Sequence, residues 1–172
     1  LFKATWSLHT HPTPVVALAS SVNAAEHYSG SIFPDESVMC GPIPLYLPYD
    51  EPGLGLGIGL YLGALKYQDQ YGVNPRQIIL GNHGLCTFGN ASMEALGTTK
   101  IAVKAARVRL GALASGGIQF IPDAMAEKIS DRLEDMRTNI AQSMFNQQPD
   151  PMETAIDEPV NEPDSEPVSA EQ

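Results

Sequence analysis

From Asp150 to Gln172 the chain carries eight of its 20 acidic residues and no Lys or Arg. That break in composition limits what can fold. Beyond Gln147 the residues are mainly Pro, Glu, Asp, Ser and Val without apolar periodicity, and such a segment cannot bury enough surface to offset the entropy lost on ordering it. The expectation is one domain over residues 1–146 and a disordered acidic tail over 147–172. The formal charge of −10 then belongs mostly to the tail, because the body retains 12 acidic against 10 basic residues. A body so close to neutral lacks the basic footprint of a nucleic-acid binder or of an anionic-membrane binder, so neither partner is expected. With 172 residues, 43% of them hydrophobic, the chain has material for one ordinary core.

Cys40 and Cys86 are too few for a disulfide scaffold and do not form a Cys-x-x-Cys pair, which points to a reducing, cytoplasmic compartment. The longest apolar run, Leu54 to Leu65, contains four glycines and falls short of the ~20 residues of a membrane span. Phe2 to Trp6 leads into polar and His residues and does not resemble a signal peptide. The sequence opens without Met on residues that already alternate like a core strand, so a fragment is expected.

Leu1 to His9 reads as a strand with Phe2, Ala4, Trp6 and Leu8 on its core face. A helix is predicted from Pro12–Pro14 to about Asn23, capped by Thr10 or Thr13. Ser37 to Pro52 is Pro-rich, and its segment Ile43 to Tyr49 suits an edge strand or extended loop. Pro52 to Tyr71 is assigned to a helix, although Gly53, Gly55, Gly57 and Gly59 favour neither regular state. Arg76 to Leu80 and Leu85 to Phe88 read as strands joined by an Asn82-His83-Gly84 turn or bulge. A long helix follows over Ser92 to Ala114, capped by the Gly89–Ser92 stretch and ended by Gly116-Gly117. Its apolar face is expected at Ile101, Val103, Val108 and Leu110, with Lys100, Lys104, Arg107 and Arg109 mostly outside. A last helix, Pro122 to Phe145, would dock by Met125, Ile129, Leu133, Met136 and Ile140.

Three of the four histidines are candidates for metal chemistry. His9 and His11 form a His-x-His pair at the exit of a strand, and the period of two puts both imidazoles on one side, where they can grip one ion. The plainer reading is two polar residues at a strand end. His83 lies in a second strand–turn, beside Gly84, where the backbone permits close approach and a side chain can be aimed inward.

Leu8-His9-Thr10-His11-Pro12, then Ile79-Leu80-Gly81-Asn82-His83-Gly84, then Gly89-Asn90-Ala91-Ser92-Met93-Glu94-Ala95 together resemble the class II aldolase/adducin family from about Leu1 to Leu113. Pro48-Tyr49-Asp50-Glu51-Pro52-Gly53 is similar to that family's P-Y-x-x-x-G loop. The resemblance implies a three-layer α/β/α fold with a mixed, largely antiparallel central sheet. It also implies a zinc ion on His9, His11 and His83, a sugar-phosphate substrate and a homotetramer. By the same resemblance the reaction is reversible aldol cleavage of a ketose phosphate, in which zinc chelates carbonyl and hydroxyl oxygens and stabilises an enediolate. Epimerisation of a pentulose phosphate and dehydration of a methylthio-sugar phosphate are the alternatives within the family, and a non-enzymatic, adducin-like interaction module is the alternative outside enzymology.

The resemblance also has departures. The family's phosphate-binding region and catalytic Glu lie upstream of the His-x-His pair, and only eight residues precede His9. No catalytic acid or base is therefore assigned, and whether the chain as given is an active enzyme is left open. The glycine-alternating segment differs from the family's polar helix.

Other residues have weaker claims. His27 is weighed as a fourth ligand or acid/base against a helix-end histidine, and Glu26 as a carboxylate orienting an imidazole against an exposed one. Cys86 is weighed as a fourth zinc ligand against a buried thiol. Arg107, Arg109, Lys100 and Lys104 are weighed as a phosphate site against a solvated face. The glycine series meets no nucleotide-loop fingerprint. Tyr67 and Tyr71 read as interface residues.

Overall fold

The computed structural model describes residues 4–132 and 143. Four strands form one sheet in the order β1-β4-β3-β2, with β1 at Trp6–Thr10, β2 at Leu45–Leu47, β3 at Gln77–Leu80 and β4 at Gly84–Gly89. The β1–β4 and β3–β4 pairs are antiparallel and β2–β3 is parallel, so the sheet is mixed and largely antiparallel as expected. The parallel pair needs a crossover, and helix α4 (Leu54–Tyr71) supplies it.

Residues paired across a ladder share a face. Ile79, Leu85 and Thr87 face α1 (Thr13–Ala19) and α5 (Ser92–Ala114), and there Val15, Leu18, Ile101, Ala102 and Ala106 complete the core. Leu45 and Leu47 face the other way, toward α4: a Cβ on Gly63 would lie 2.8 Å from Leu47, so glycine lets this helix sit close to β2. Two short helices, α2 (Ala24–His27) and α3 (Pro34–Cys40), lie between α1 and β2, and α6 (Asp123–Arg132) packs on α3. The result is the three-layer arrangement.

Several expectations need correction. Trp6, assigned to a core face, is 49% exposed, because β1 is the last strand of the sheet among the described residues. The helix after His11 stops at Ala19 and starts at Thr13, with Pro12 in the cap position and no side-chain cap, so neither Thr10 nor Thr13 caps it. The start of the Pro-rich stretch, Ser37 to Cys40, belongs to α3, which the sequence reading did not assign: Pro34 pre-sets the first turn, Asp35 and Glu36 suit its positive end, and Val38, Met39 and Cys40 bury. The glycine-rich stretch, by contrast, is helical as assigned, from Leu54 to Tyr71. Helix α5 has the expected bounds, but no side chain caps it; the Glu94 carboxylate accepts the Asn90 N–H instead, at 2.8 Å.

The face of α5 is also rotated from the expected one. It buries Ala95, Thr98, Ile101, Ala102, Ala105 and Arg109, while Val108 and Leu110 are exposed. Small residues let the helix approach the sheet, and a reading by large apolar residues overlooks them. In α6 it is Ala126 that buries and Met125 that is exposed. Leu133, Met136, Ile140, the end of the predicted helix, Phe2 and the acidic tail lie outside the described residues.

Arg109 is fully buried. Its guanidinium forms a two-pronged pair with Glu36 (2.8 and 3.2 Å), donates Nε–H to the His27 carbonyl (2.9 Å) and donates to the Gly30 carbonyl (2.6 Å). Glu36 also accepts the Ile32 N–H at 3.0 Å. The loop between α2 and α3 is thus tied to α5 by a buried, hydrogen-bonded charge pair, and Arg109 belongs to no phosphate site. Lys104 is exposed, pairs with Asp35 at 3.0 Å and lies over the Phe33 ring. Tyr67 is buried rather than at an interface, and its hydroxyl donates to the Ile43 carbonyl at 2.7 Å.

Candidate metal centre

Strand β1 ends at Thr10, and His9 and His11 flank that end. The tight turn between β3 and β4 comes to the same place, because Thr10 pairs with Leu85 and Leu80 with Gly84. Its geometry is dictated by backbone crowding. Asn82 takes a left-handed φ of 50°, which Asn tolerates better than most residues. Its N–H donates to the Ala19 carbonyl at 3.2 Å and that of Gly81 to the Leu47 carbonyl at 2.8 Å, which anchors the turn to α1 and β2. A Cβ on Gly84 would stand 2.7 Å from the Thr10 carbonyl and 2.6 Å from the His11 ring, so only glycine admits His11 here.

The three imidazoles meet. Ring centroids are 4.7 Å apart for His9–His11, 5.0 Å for His9–His83 and 5.2 Å for His11–His83. One ring nitrogen from each lies within 4.8 Å of the others, a group that could hold a metal ion. Nδ1 of His9 lies 3.2 Å from the Leu85 carbonyl. A carbonyl can only accept, so that bond places the proton on Nδ1 and leaves the Nε2 lone pair free, as carbonyl-oriented histidine ligands require. Nδ1 of His83 is buried and has no hydrogen-bond partner. Burial, with His9 and His11 close by, holds the pKa of His83 below its ordinary value and favours the neutral form that ligates. An orphaned buried nitrogen, an oriented imidazole and a third ring within reach are a donor set that fits a borderline-soft divalent cation.

The remaining candidates are elsewhere or turned away. Cys86 Sγ lies 3.3 Å from Nδ1 of His9, the nitrogen engaged with Leu85, and does not complete the histidine group. Burial pushes its thiol pKa up. Cys40 is fully buried in the core. His27 ends α2 and gives its carbonyl to Arg109, and Glu26 is exposed; neither joins the group. Beside His9, an apolar hollow of about 290 Å³ is lined by Leu8, Gly57, Leu60, Cys86 and Phe88. A half-open cleft of about 380 Å³ lies at the opposite end of β4, next to Arg76 and Glu94, which pair at 3.4 Å. Sequence reasoning had no signal for either hollow, since both arise where separate elements leave a gap.

Among solved structures the fold is similar to an L-fuculose 1-phosphate aldolase from Glaciozyma antarctica (TM-score 0.59, 22% identity, 81% of this chain and 49% of that one). It is also similar to an aldolase II superfamily protein from Pseudomonas syringae (0.57, 17%, 82% and 54%). YgbL from Klebsiella pneumoniae is comparable (0.56, 20%, 72% and 56%). The chain spans about half the length of these proteins. At such identities the likeness shows the fold. A search by sequence among curated proteins gives no significant match. No helix among the described residues is long and apolar enough to cross a membrane. The model of the class II aldolase and adducin N-terminal domain, however, matches residues 3–110, well over half of the sequence, and with this fold and this turn-and-strand histidine group it places the chain in the class II aldolase/adducin family.

Proposed function

We propose that this domain is the metal-carrying part of a zinc-dependent lyase that cleaves a ketose phosphate by a reversible aldol reaction, with His9, His11 and His83 as the metal ligands. The convergence of those three imidazoles is the observation that carries the reading. Catalytic zinc sites use three protein ligands and keep a fourth position for water or substrate, and Cys86 is turned to the far nitrogen of His9, so the protein supplies three donors here. When bound, zinc supplies Lewis-acid polarisation of a carbonyl oxygen and offsets charge that develops as the neighbouring carbon–carbon bond breaks.

The residues of this chain divide that work. The Leu85 carbonyl fixes the His9 ring, Gly84 makes room for His11, and the anchored turn holds His83. Imidazoles committed to an ion cannot move protons, so the general acid/base is a further group. The resemblance to an L-fuculose 1-phosphate aldolase favours aldol cleavage, and a family epimerase or dehydratase would use the same three donors. A homotetramer in the cytoplasm accords with the family and with two unpaired cysteines.

Metal analysis of the purified protein tests this directly. About one zinc per chain is expected, falling to a small fraction in His9→Ala and in His83→Ala, since loss of one of three ligands removes most of the affinity. A folded wild type without metal would sink the lyase reading and leave the adducin-like interaction module. On composition we also place the domain at residues 1–146 and an acidic tail at 147–172. Removal of 147–172 is then expected to leave the thermal midpoint within about 2 °C of wild type, whereas a fall of several degrees, on the order of 1 kcal/mol, would show that the tail packs.

A further inference from the structure

The glycine series of α4, where the sequence departs from the polar helix of its family, helps to shape the hollow beside His9. Gly57 and Leu60, one helical turn apart, form one wall of it. Ser7 and His9 of β1 pair with Phe88 and Cys86 of β4, so these four share the sheet face that forms the opposite wall. A Cβ on Gly57 would meet nothing within 4 Å, so the missing side chain leaves room instead of allowing close packing. Glycine weakens a helix relative to alanine, and no close contact among the described residues calls for it here; the open space it leaves in the hollow does.

We infer that this hollow is a subsite for an apolar group, alkyl or aryl, carried by the substrate at the end away from its phosphate. The inference deepens the proposed lyase function and rests on it. The hollow adjoins the metal group because the His9 ring belongs to both. Its volume of about 290 Å³ is well above the ~150 Å³ of an apolar cavity that takes up benzene, so a ring or a short branched chain fits. None of the residues lining it is Lys, Arg, Asp or Glu, so neither a phosphate nor a run of hydroxyl groups would find a charged partner there. Leu60, Cys86 and Phe88 are only partly buried, and an apolar guest would take their remaining surface out of water. Each methylene group so buried contributes up to about fourfold in affinity.

Calorimetry on the full chain loaded with zinc tests the inference, with acetohydroxamate and benzohydroxamate as chelating probes that differ only in the group beyond the chelating atoms. Benzohydroxamate is expected to bind about 10-fold or more tightly, since its ring enters the hollow. Gly57→Leu, which fills the hollow from a position where an added Cβ meets nothing within 4 Å, should erase the difference while circular dichroism stays native. A second readout needs no metal. Benzyl alcohol titrated into the metal-free full chain should shift the methyl NMR signals of Leu60 and not those of Leu18 in the core, and Gly57→Leu should abolish the shift. Zinc-loaded wild type that binds the two hydroxamates equally overturns the inference and leaves the lyase reading standing. A Leu60 shift that persists in Gly57→Leu overturns it too, by placing the alcohol outside the hollow. Protein that takes up no zinc sinks the lyase reading and not the apolar site, which the Leu60 shift then supports or its absence overturns.

Discussion

Arg109→Ala is expected to leave most of the protein unfolded or aggregated at 37 °C. The change strands Glu36, which is 1% exposed, without its countercharge, and it removes the donors to the His27 and Gly30 carbonyls. Breaking a buried pair from one side costs about 3–5 kcal/mol, against about 5–15 kcal/mol of total stability for a domain. Chemical denaturation, read by circular dichroism, should show the loss as a lowered midpoint. Arg109→Met combined with Glu36→Met should recover part of it, because two apolar side chains of similar size leave no buried charge. Recovery stays incomplete, since the Ile32 N–H and two loop carbonyls lose partners at about 1–3 kcal/mol each. A midpoint for Arg109→Ala within about 1 kcal/mol of wild type would show that the pair is not what ties the α2–α3 loop to α5.

Gly84→Ala is expected to weaken zinc binding about 10- to 100-fold, a loss of the size seen when the supports of metal ligands are disturbed, and to cost about 1–3 kcal/mol of stability. A methyl group at this position would stand 2.7 Å from the Thr10 carbonyl and 2.6 Å from Cδ2 of His11. The ring could swing away, but the carbonyl belongs to the β1–β4 ladder and cannot, so the strands must part by several tenths of an ångström at the point where all three histidines meet. Competition with a chromogenic chelator reads the affinity, and thermal unfolding reads the fold. Zinc bound as tightly as in wild type would show that the turn yields without moving His11. The comparison Gly111→Ala, where an added Cβ meets nothing within 4 Å, should leave both readouts near wild type.

The elements whose residues carry strong local signals were legible in the sequence. Helix α5 runs over Ser92–Ala114 as its composition and terminal glycines indicate, and β3 and β4 flank the Asn82-His83-Gly84 turn as expected. The candidate metal group was legible too, although through resemblance: His9 and His11 share a strand exit by periodicity, but nothing local brings His83 to them across some 70 residues. That meeting depends on the β1–β4 register, a long-range pairing.

Where the sequence misled, its cues were read one residue at a time while burial is decided by neighbours. Arg109 looks like a solvated cation on a basic helix face, yet it falls on the same side as Ile101, Ala102 and Ala105, and Glu36, 73 residues away, makes its burial tolerable. Trp6 looks like core, yet β1 has a neighbour along only one edge among the described residues.

The sequence by itself determined the kinds of element, the glycines that its turns require and the donor atoms available for a metal, because these follow from φ/ψ preference, periodicity and side-chain chemistry within a few residues. Only the tertiary structure decided which helix face is inside, which charge has a buried partner and which nitrogen of His9 remains free. Those outcomes depend on atoms brought together from distant parts of the chain, and no local preference encodes them.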